Sequence, residues 1–420
     1  MTEELGEVFR REAGRCITTV VRVLGDIDLA EEAVAEAFAI AVERWPRTGF
    51  PPNPGGWITT TARNRAIDRL RRTSVGDERH LAAQRLHIND MESDHDPELD
   101  GLDDLVDVVA DDQLRLMFLC AHPALNVDAQ TALILRLLGG LETGEIARAF
   151  VVPEATMAQR IVRAKRKLHD NHAPYRIPRP AELPDRLHVV LVAIYLIYTE
   201  GHTATSGATL SRFDLSTEAI RLGRTLVELM PDEAEAAGLL ALMLLTESRR
   251  SARVAFDGTM VRLGEQNRRL WKSDLISEGQ ELVRASLRRN RPSSFQIQAA
   301  IAAVHSDATS GEVTDWSQIV ALYDQLYELR PNAVVALNRA VAVAELRGPS
   351  EGLMAISQID VVALDNYQPF HATRADLLAR CGRREEAITA YDRAIELTSN
   401  AVEREFLIRQ KAAAVEEPQA

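Results

Sequence analysis

The amino-acid sequence predicts an all-α protein, and two observations carry that prediction. Apolar residues recur at spacings of three and four along most of the 420-residue chain, which is the period of an amphipathic helix. Alanine, leucine, glutamate and arginine are abundant, and no convincing run of alternating β-branched residues indicates a strand. Changes in composition divide the chain into two small helical domains and a long helical array, joined by linkers.

The composition is that of a globular protein, with 46% hydrophobic and 26% charged residues. Cys16, Cys120 and Cys381 form no CxxC pair, so they are expected to be reduced core thiols in a cytoplasmic protein. The longest apolar run, 189–198, is shorter than the ~20 residues of a membrane span, and no membrane association is expected. The formal net charge of -13 argues against a nucleic-acid partner, but a total charge can hide basic patches.

The first domain is predicted over residues 1–74, with a Pro/Gly-rich loop at 46–56. Before the loop, DLAEEAVAEAFAIAVERW carries an apolar stripe and an acidic face, which is either solvated or a docking surface. The predicted stripe consists of Val34, Phe38, Ala41, Val42 and Trp45. After the loop, GGWITTTARNRAIDRLRR has a basic face, and its Trp57 either stacks on an unpaired base or anchors the loop in the core. For Trp57 alone, the core role is the commoner of the two.

The second domain is predicted over 110–172, after an acidic linker at 75–109 and before a Pro-rich linker at 173–184. In it, LETGEIARAF, a short turn and EATMAQRIVRAKRKL indicate a helix-turn-helix. The residues predicted to face inward on the second helix are Met157, Ile161, Ala164 and Leu168. A basic face then points outward, which suits a helix in the DNA major groove and equally an ordinary solvated helix. A second basic helix in the first domain favours DNA.

The helical array is predicted over 185–420, where a period of 34 residues favours a tetratricopeptide-like extension over one packed helical domain without true repeats. Gly382, Ala387, Tyr391 and Ala394 follow the tetratricopeptide pattern, in which small residues let two helices approach closely, and Gly348 precedes Gly382 by one period. A proline closes an earlier repeat at Pro331, whereas the segment 246–310 is degenerate. Tetratricopeptide-like arrays bind proteins, so the array is expected to modulate the two domains before it.

The order DLAEEAVAEAF, W, ITTTARNRAIDRLRR, an acidic segment and LRLMFLCAHPALNVDAQTALILRLLGGLETGEIARAFVVPEATMAQRIVRAKRKL resembles bacterial sigma factors of the extracytoplasmic-function class, within the sigma-70 family. The tail, with YLIYTEGHTATSG and GLLALMLL, resembles the subgroup that has a C-terminal tetratricopeptide-like extension. The resemblance implies a factor that directs RNA polymerase core to specific promoters and aids their opening. Its implied partners are promoter DNA and the polymerase core, through the β′ clamp helices and the β flap.

The resemblance also assigns roles to particular residues. The implied polymerase-docking residues are Glu31, Glu32, Glu36 and Phe38. The implied minus-ten residues are Trp57, Arg63, Asn64, Asp68, Arg71 and Arg72. The implied minus-thirty-five residues are Thr156, Gln159, Arg160, Arg163, Arg166 and Lys167. The sequence departs from the family pattern at Ala35, where Gln is usual, and at Ala121 and His202, where Cys and Tyr are expected.

Two other classes of protein were weighed against a sigma factor. A helix-turn-helix regulator with a helical sensor domain explains the second domain and the tail but leaves the first domain without a role. An enzyme is disfavoured because GxxxxGK[ST], HExxH and GxSxG are lacking, so no catalytic residue, cofactor or metal is predicted. In the tail, the segments 198–207 and 265–271 either form a ligand pocket or, more commonly for such clusters, make ordinary helix contacts.

Overall fold

The structure is a computed structural model that describes residues 2–416, with gaps at 74–111, 151, 174, 180–181, 206, 208, 290–291 and 360–363. Those described ranges are predominantly helical, which confirms the all-α prediction. Across them, β-structure is limited to two isolated bridges, Gly207 with Asn400 and Val254 with Met260. The predicted acidic linker at 75–109 lies outside the described residues.

The described helices of the sigma-like half are α1 (Thr2–Leu24), α2 (Ile27–Thr48), α3 (Pro54–Thr73), α4 (112–120), α5 (Val127–Leu137), α6 (Thr143–Ala149) and α7 (Glu154–Asp170). Those that follow are α8 (Leu183–His202), α9 (Phe213–Leu229), α10 (Ala234–Glu247), α11 (Ser273–Arg288), α12 (Ser294–Asp307), α13 (Trp316–Leu329), α14 (Ala333–Arg347), α15 (Pro349–Ser357), α16 (Gln368–Arg380), α17 (Arg384–Leu397) and α18 (Ala401–Glu416).

Helices α1, α2 and α3 pack on one another around one apolar core. On α2, the predicted inward residues Val34, Phe38, Ala41 and Trp45 are buried, as expected. Val42 was predicted to be buried but is 54% exposed. At 100° per residue it falls at the edge of the stripe, which extends instead toward the alanines on the other side.

The loop between α2 and α3 is shorter than the predicted 46–56. Helix α2 continues through Pro46 to Thr48, and α3 begins at Pro54. Proline is tolerated at both places because the first helical N–H has no intrahelical acceptor, and because Pro46 forfeits a single bond in the last turn. The Asn53 side chain accepts a hydrogen bond from the Gly56 N–H at 2.9 Å and so caps α3.

Helices α1 and α3 lie close together at Gly55. A Cβ atom at this position would come within 2.5 Å of Glu12 Oε2. The backbone there also receives a contact from α1, since Cys16 Sγ donates to the Gly55 carbonyl at 3.5 Å. Cys16 and Cys120 are buried as predicted, whereas Cys381 is only partly buried and is not a core thiol.

Helices α4 to α7 form a second group, to which the first part of α8 is attached. Arg186 of α8 is 7% exposed, and its Nη1 donates to the carbonyl of Phe118 in α4 at 3.3 Å. The segment predicted as a Pro-rich linker also makes contacts, since Tyr175 Oη donates to the Asp112 carbonyl at 2.9 Å. The chain divides into two compact units, Met1–Ile197 and Tyr198–Ala420, with the boundary inside α8. The domain limits of 1–74, 110–172 and 185–420 remain predictions.

The second unit consists of successive packed helices, as the repeat predicts. Ala387, Tyr391 and Ala394 are buried in the contact that α17 makes with its neighbours. The role predicted for the repeat glycines was wrong, because a Cβ atom at Gly348 or Gly382 would meet nothing within 4 Å. Their φ angles of 100° and 73° show that each supplies a left-handed turn after a helix.

The first and last parts of this unit are joined. The Asn400 side chain is fully buried, and its Nδ2 donates to the carbonyls of Ala204 at 3.0 Å and Thr209 at 2.9 Å. The backbone adds a bond from the Ala401 N–H to the Gly207 carbonyl at 3.0 Å. The array therefore closes on its own beginning.

Candidate nucleic-acid interface

Helix α7 has an apolar face and a basic face, as its sequence predicts. Met157, Ile161, Ala164 and Leu168 are at most 7% exposed, and this face packs on α5 and α6. Helix α6 begins with a capping box in which the Glu145 side chain accepts from the N–H of the cap residue, Glu142, at 2.7 Å. Helices α6 and α7 with their short turn therefore form the predicted helix-turn-helix.

The outer face of α7 borders an open cleft of about 350 Å³. Five of the six predicted minus-thirty-five residues line it, namely Thr156, Gln159, Arg160, Arg163 and Lys167. The sixth, Arg166, is not among the lining residues; its side chain is 82% exposed and lies 3.7 Å from Asp170. The other wall contains Leu125 and Asn126, which precede α5 and which the helical periodicity of α7 could not identify.

Arg160 is held against its own domain. Its Nη1 lies 3.3 Å from Asp128 Oδ2, and its guanidinium lies 5.8 Å from the centre of the Phe150 ring. The Asp128 side chain is 59% exposed, so this ion pair contributes at most ~1 kcal/mol. An incoming phosphate or base edge can therefore displace the Asp128 carboxylate from Arg160 at small cost.

Lys165 belongs to the same basic run but does not face the cleft. Its Nζ lies 2.5 Å from Asp28 Oδ1 and 2.7 Å from Glu31 Oε2, both on α2. Burial alone would lower the pKa of Lys165, but its hydrogen bonds to the two carboxylates raise it overall. Because the Lys165 side chain is only 15% exposed, this contact is better shielded from solvent than a typical surface ion pair. Helix α7 is thereby fastened to α2.

The predicted minus-ten residues lie along α3 but differ in exposure. Asn64 and Asp68 are exposed and Arg63 is partly buried, while the side chains of Arg71 and Arg72 lie outside the described part of the chain. Trp57 is partly buried, and its ring lies 5.4 Å from that of Trp45 in an edge-to-face contact. This contact agrees with the simpler interpretation, in which Trp57 anchors the start of α3 on the core.

The predicted docking residues on α2 fall into two sets. Glu32 is exposed and Glu36 is partly buried, whereas Glu31 is engaged by Lys165. Phe38 is 6% exposed and packs on Phe9 with their ring centres 4.7 Å apart, so it supports α2 from inside rather than presenting a surface. Ala35, where the family usually has Gln, is exposed on the same helix.

The described residues contain no group of three or more His, Cys, Asp or Glu side chains arranged to hold a metal ion. In that same part of the chain, no helix has both the length and the apolarity needed to span a bilayer.

Two protein families match these helical domains. Residues 8–75 match the family described as Sigma-70 region 2, and residues 115–168 match the family described as Sigma-70, region 4. Both halves of a sigma factor are therefore present in the expected order, which a helix-turn-helix regulator does not require. The chain belongs to the sigma-70 family. A third match, over residues 186–287, is to a family of unknown function, DUF6596.

Relatives place this sigma factor in the extracytoplasmic-function class. An uncharacterized protein of Rhizobium meliloti is 42% identical over 393 residues, or 93% of this chain and 91% of that protein. SigI of Mycobacterium tuberculosis, a probable ECF RNA polymerase sigma factor, is 25% identical over 169 residues, which are 40% of this chain and 56% of SigI. SigK of Mycobacterium bovis, an ECF RNA polymerase sigma factor, is 27% identical over 168 residues, which are 39% of this chain and 83% of SigK.

The family membership decides between the alternatives weighed from the sequence. Sigma factors bind RNA polymerase core and promoter DNA, and the sigma-70 family is a family of initiation factors rather than of enzymes. The Rhizobium relative spans nearly the whole chain, so the sigma domains and the tail occur together in a second protein.

Proposed function

We propose that this sigma factor reads the promoter minus-thirty-five element with the cleft face of α7. The observation that supports this assignment is the gathering of Thr156, Gln159, Arg160, Arg163 and Lys167 around one open cleft. In a helix-turn-helix, residues near the amino end of the second helix reach base edges, and later Arg and Lys side chains reach phosphates. Thr156, Gln159 and Arg160 therefore lie nearest the bases, together with Arg163, while Arg166 and Lys167 contact the backbone.

Helix α3 is the proposed element for the minus-ten sequence. Its exposed Asn64 and Asp68, with the partly buried Arg63, give a polar surface that follows the loop at 49–53. Arg71 and Arg72 are proposed from the sequence as further minus-ten contacts. Trp57 contributes by fixing the start of the helix against Trp45, which holds that surface in position. A rigid support of this kind lowers the entropy lost when the promoter strands separate against it.

Helix α2 is the proposed docking surface for the β′ clamp helices. The exposed Glu32 and the partly buried Glu36 are the proposed acidic contacts for a basic partner, while the buried Phe38 holds the helix on its own domain. Glu31 becomes available only when Lys165 releases it. The β flap is the proposed partner of the region that carries α7.

The array after α8 is proposed to modulate the sigma domains through protein contacts. Its support is architectural, since a closed helical array offers a fixed surface and the described residues leave several large apolar side chains on it exposed. Examples are Met354 at 53%, Leu346 at 40% and Tyr327 at 42%. The proposed location of the protein is the cytoplasm, because its proposed partner, RNA polymerase, acts there.

A reconstituted transcription assay tests the proposal. Purified protein is added to RNA polymerase core with a library of genomic promoter fragments, and specific initiation is expected from a subset of them. A variant with Arg163→Ala and Arg160→Ala should bind core normally but lose promoter selectivity. A repressor would yield no transcript with core on any fragment, and that result would reject the proposed function.

A further inference from the structure

Three arginines converge in the second unit, in and around the irregular segment that the repeat pattern does not cover. Arg249, Arg253 and Arg268 lie between α10 and α11, and each side chain is partly buried. We call them the arginine cluster. Burial of a cation is costly unless a carboxylate or another anion compensates it, so the surroundings of each guanidinium decide what the cluster requires.

Arg253 is held by neutral oxygens at the end of α8. Its Nη1 donates to the carbonyl of His202, and its Nη2 donates to Thr203 Oγ1 at 2.8 Å. The pKa of Arg253 is lowered to about 10, first by burial and then by the charge of Arg249. Glu247 and Glu403 oppose that shift only in part.

Arg268 is likewise held by neutral groups. Its Nη1 donates to the carbonyls of His305 and of Ala308, the latter at 2.7 Å, and its guanidinium stacks 4.7 Å above the centre of the Trp271 ring. Its Nε is enclosed and has no hydrogen-bond acceptor among the described residues. The Trp271 Nε1 donor is also enclosed, and it too has no hydrogen-bond acceptor among the described residues.

Arg249 connects the other two. Its Nε is also enclosed and lacks an acceptor within the described part of the chain. Its positive charge lowers the pKa values of two imidazoles, those of His202 and His305. The pKa of His202 falls to about 2, through burial and then through Arg253 and Arg249, and that of His305 falls to about 4, through burial and then Arg249 and Arg268.

Neither Glu247 nor Glu403 forms an ion pair with the cluster. Glu247 is 6% exposed and forms its ion pair with Arg250, at 2.7 Å between Oε1 and Nη1. Burial raises the pKa of Glu247, and burial likewise raises the pKa of Glu403. For Arg249, Arg253 and Arg268, the described residues provide no carboxylate within ion-pair distance. The cluster therefore carries positive charge that is only partly compensated, together with the N–H donors of Arg249, Arg268 and Trp271 that lack an acceptor among the described residues.

We propose that the arginine cluster is a binding site for a small oxyanion, the phosphate or carboxylate group of a small molecule, which serves as the tail's input signal. Guanidinium groups bind both anions through paired N–H donors, and enclosed donors with no acceptor are what such a ligand satisfies. Trp271 supplies a further donor and an apolar wall. A DNA backbone does not fit, because these donors are enclosed rather than spread over an exposed face.

The site combines segments that the sequence separates widely. His202 ends α8, Arg249 and Arg268 belong to the irregular segment, and His305 lies near the end of α12. A bound oxyanion would stabilise their mutual arrangement, and it would do so without touching the residues proposed to contact promoter DNA. The site therefore goes beyond the proposed transcriptional function and can exist independently of it.

Thermal unfolding of the full-length protein tests the site, with inorganic phosphate, acetate and chloride compared at equal ionic strength. Phosphate or acetate at millimolar concentration is expected to raise the unfolding midpoint by about 2 °C or more relative to chloride. A larger response to phosphate identifies a phosphorylated ligand, and a larger response to acetate identifies a carboxylate ligand. No response to either anion overturns the proposal.

Arg249→Gln and Arg269→Gln form a matched pair for this test, because Arg269 lies next to Arg268 but is exposed. Arg249→Gln should abolish the anion response and leave the midpoint in chloride unchanged or higher, since it removes charge that is only partly compensated. Arg269→Gln should keep the response. If Arg249→Gln retains the response, the effect of the anion is general; if Arg249→Gln lowers the midpoint in chloride, the arginine is an internal structural group. Either result overturns the proposal.

Discussion

Arg163 and Lys167 are one helical turn apart on the cleft face of α7, but their side chains suit different tasks. A guanidinium forms paired hydrogen bonds with a guanine edge, whereas an ammonium acts on a phosphate as a point charge. The nearer position to the amino end of the helix is the one that reaches bases. The two residues should therefore separate specificity from affinity.

We expect Arg163→Ala to relax sequence preference at one position of the upstream element, at a cost of about 1–3 kcal/mol on the preferred sequence. Lys167→Ala should weaken binding about equally on all sequences and lower the salt slope by about one unit. Binding of the holoenzyme to a set of single-base promoter variants, measured at several salt concentrations, distinguishes the two. Identical effects from both substitutions would contradict the assigned geometry.

The helical periodicity of the sequence correctly predicts which side of α7 is buried. It does not predict the contact that Lys165, on the basic side, makes with another helix. Met157, Ile161, Ala164 and Leu168 could be predicted because a helix fixes the angle between its own residues. Lys165 could not, because its partner Glu31 is 134 residues away and nothing local encodes that contact. Phe38 shows where two kinds of sequence reasoning disagree. Its helical periodicity placed it on the inward stripe of α2, where the structure has it, whereas the resemblance named it as a docking residue.

At the level of helices, the contact between α2 and α7 places a proposed docking surface and a proposed DNA reader in competition. Glu31 cannot serve a polymerase contact while its carboxylate accepts a hydrogen bond from Lys165 at 2.7 Å. On the proposed docking surface, the use of Glu31 would break its partly buried contact with Lys165, whereas the contact of Lys165 with Asp28 could remain. Such a contact is worth about 1 kcal/mol, which corresponds to roughly a fivefold change in affinity.

Lys165→Ala should consequently increase the affinity for RNA polymerase core by roughly fivefold, because the cost of releasing Glu31 is removed. Fluorescence titration of the labelled protein with RNA polymerase core measures this affinity. Lys167→Ala is the control, since it removes the same charge from the same helix at an exposed position and should leave core affinity unchanged. An unchanged or weaker affinity of Lys165→Ala would show that the contact does not oppose docking.

The sequence predicts helix boundaries where a cap or an apolar stripe marks them. It does not predict them where proline or glycine lies within the first turn of a helix instead of in a loop. The dense run of prolines and glycines predicted a loop over 46–56, yet Pro54 begins a helix and Gly55 is buried within it. The repeat glycines show the reverse case. Gly348 and Gly382 were expected to bring helices together but instead end them, because positive φ and small size favour the same residue.

At the scale of the whole chain, the structure revises where a truncation should be placed. The predicted linker at 173–184 would place the cut after Pro184, but Arg186, Leu187, Val190 and Ile194 are all buried, and Arg186 donates to the Phe118 carbonyl within the first unit. A chain that ends at Pro184 would lose these buried side chains and the hydrogen bond to the Phe118 carbonyl. The first part of α8 belongs with the sigma domains.

We therefore expect a truncation after His202 to remain folded and to bind core, and a truncation after Pro184 to unfold at a clearly lower temperature. Burial of three aliphatic side chains at ~1.5 kcal/mol or more each gives the second variant a deficit of several kcal/mol. Thermal unfolding and core binding of both variants provide the comparison, and their transcription relative to the full chain shows whether the tail activates or inhibits. Equal unfolding midpoints would argue that α8 contributes nothing to the first unit.

The whole-molecule features were the least accessible from sequence. The all-α class, the helix-turn-helix and the repeat all leave a periodic signal within a few tens of residues. The arginine cluster does not, because Arg249 and His305 are brought together only by the packing of the helices between them. The sequence singles out 198–207 and 265–271, which contain His202, Arg268 and Trp271, but it does not single out Arg249 or Arg253. Whether a ligand or helix contacts account for these segments depends on which donors find acceptors in the folded chain.

The bonds from Asn400 to the carbonyls of Ala204 and Thr209 can form only late in synthesis of the chain, after Asn400 has been added. The Asn400–Thr209 bond joins residues 191 positions apart, and chains grow at about 5–20 residues per second. Roughly ten to forty seconds must pass between the emergence of the two partners. During that interval the sigma domains are already outside the ribosome while the tail still lacks its closing contact, so each new molecule passes through a period in which the first unit exists ahead of a completed tail.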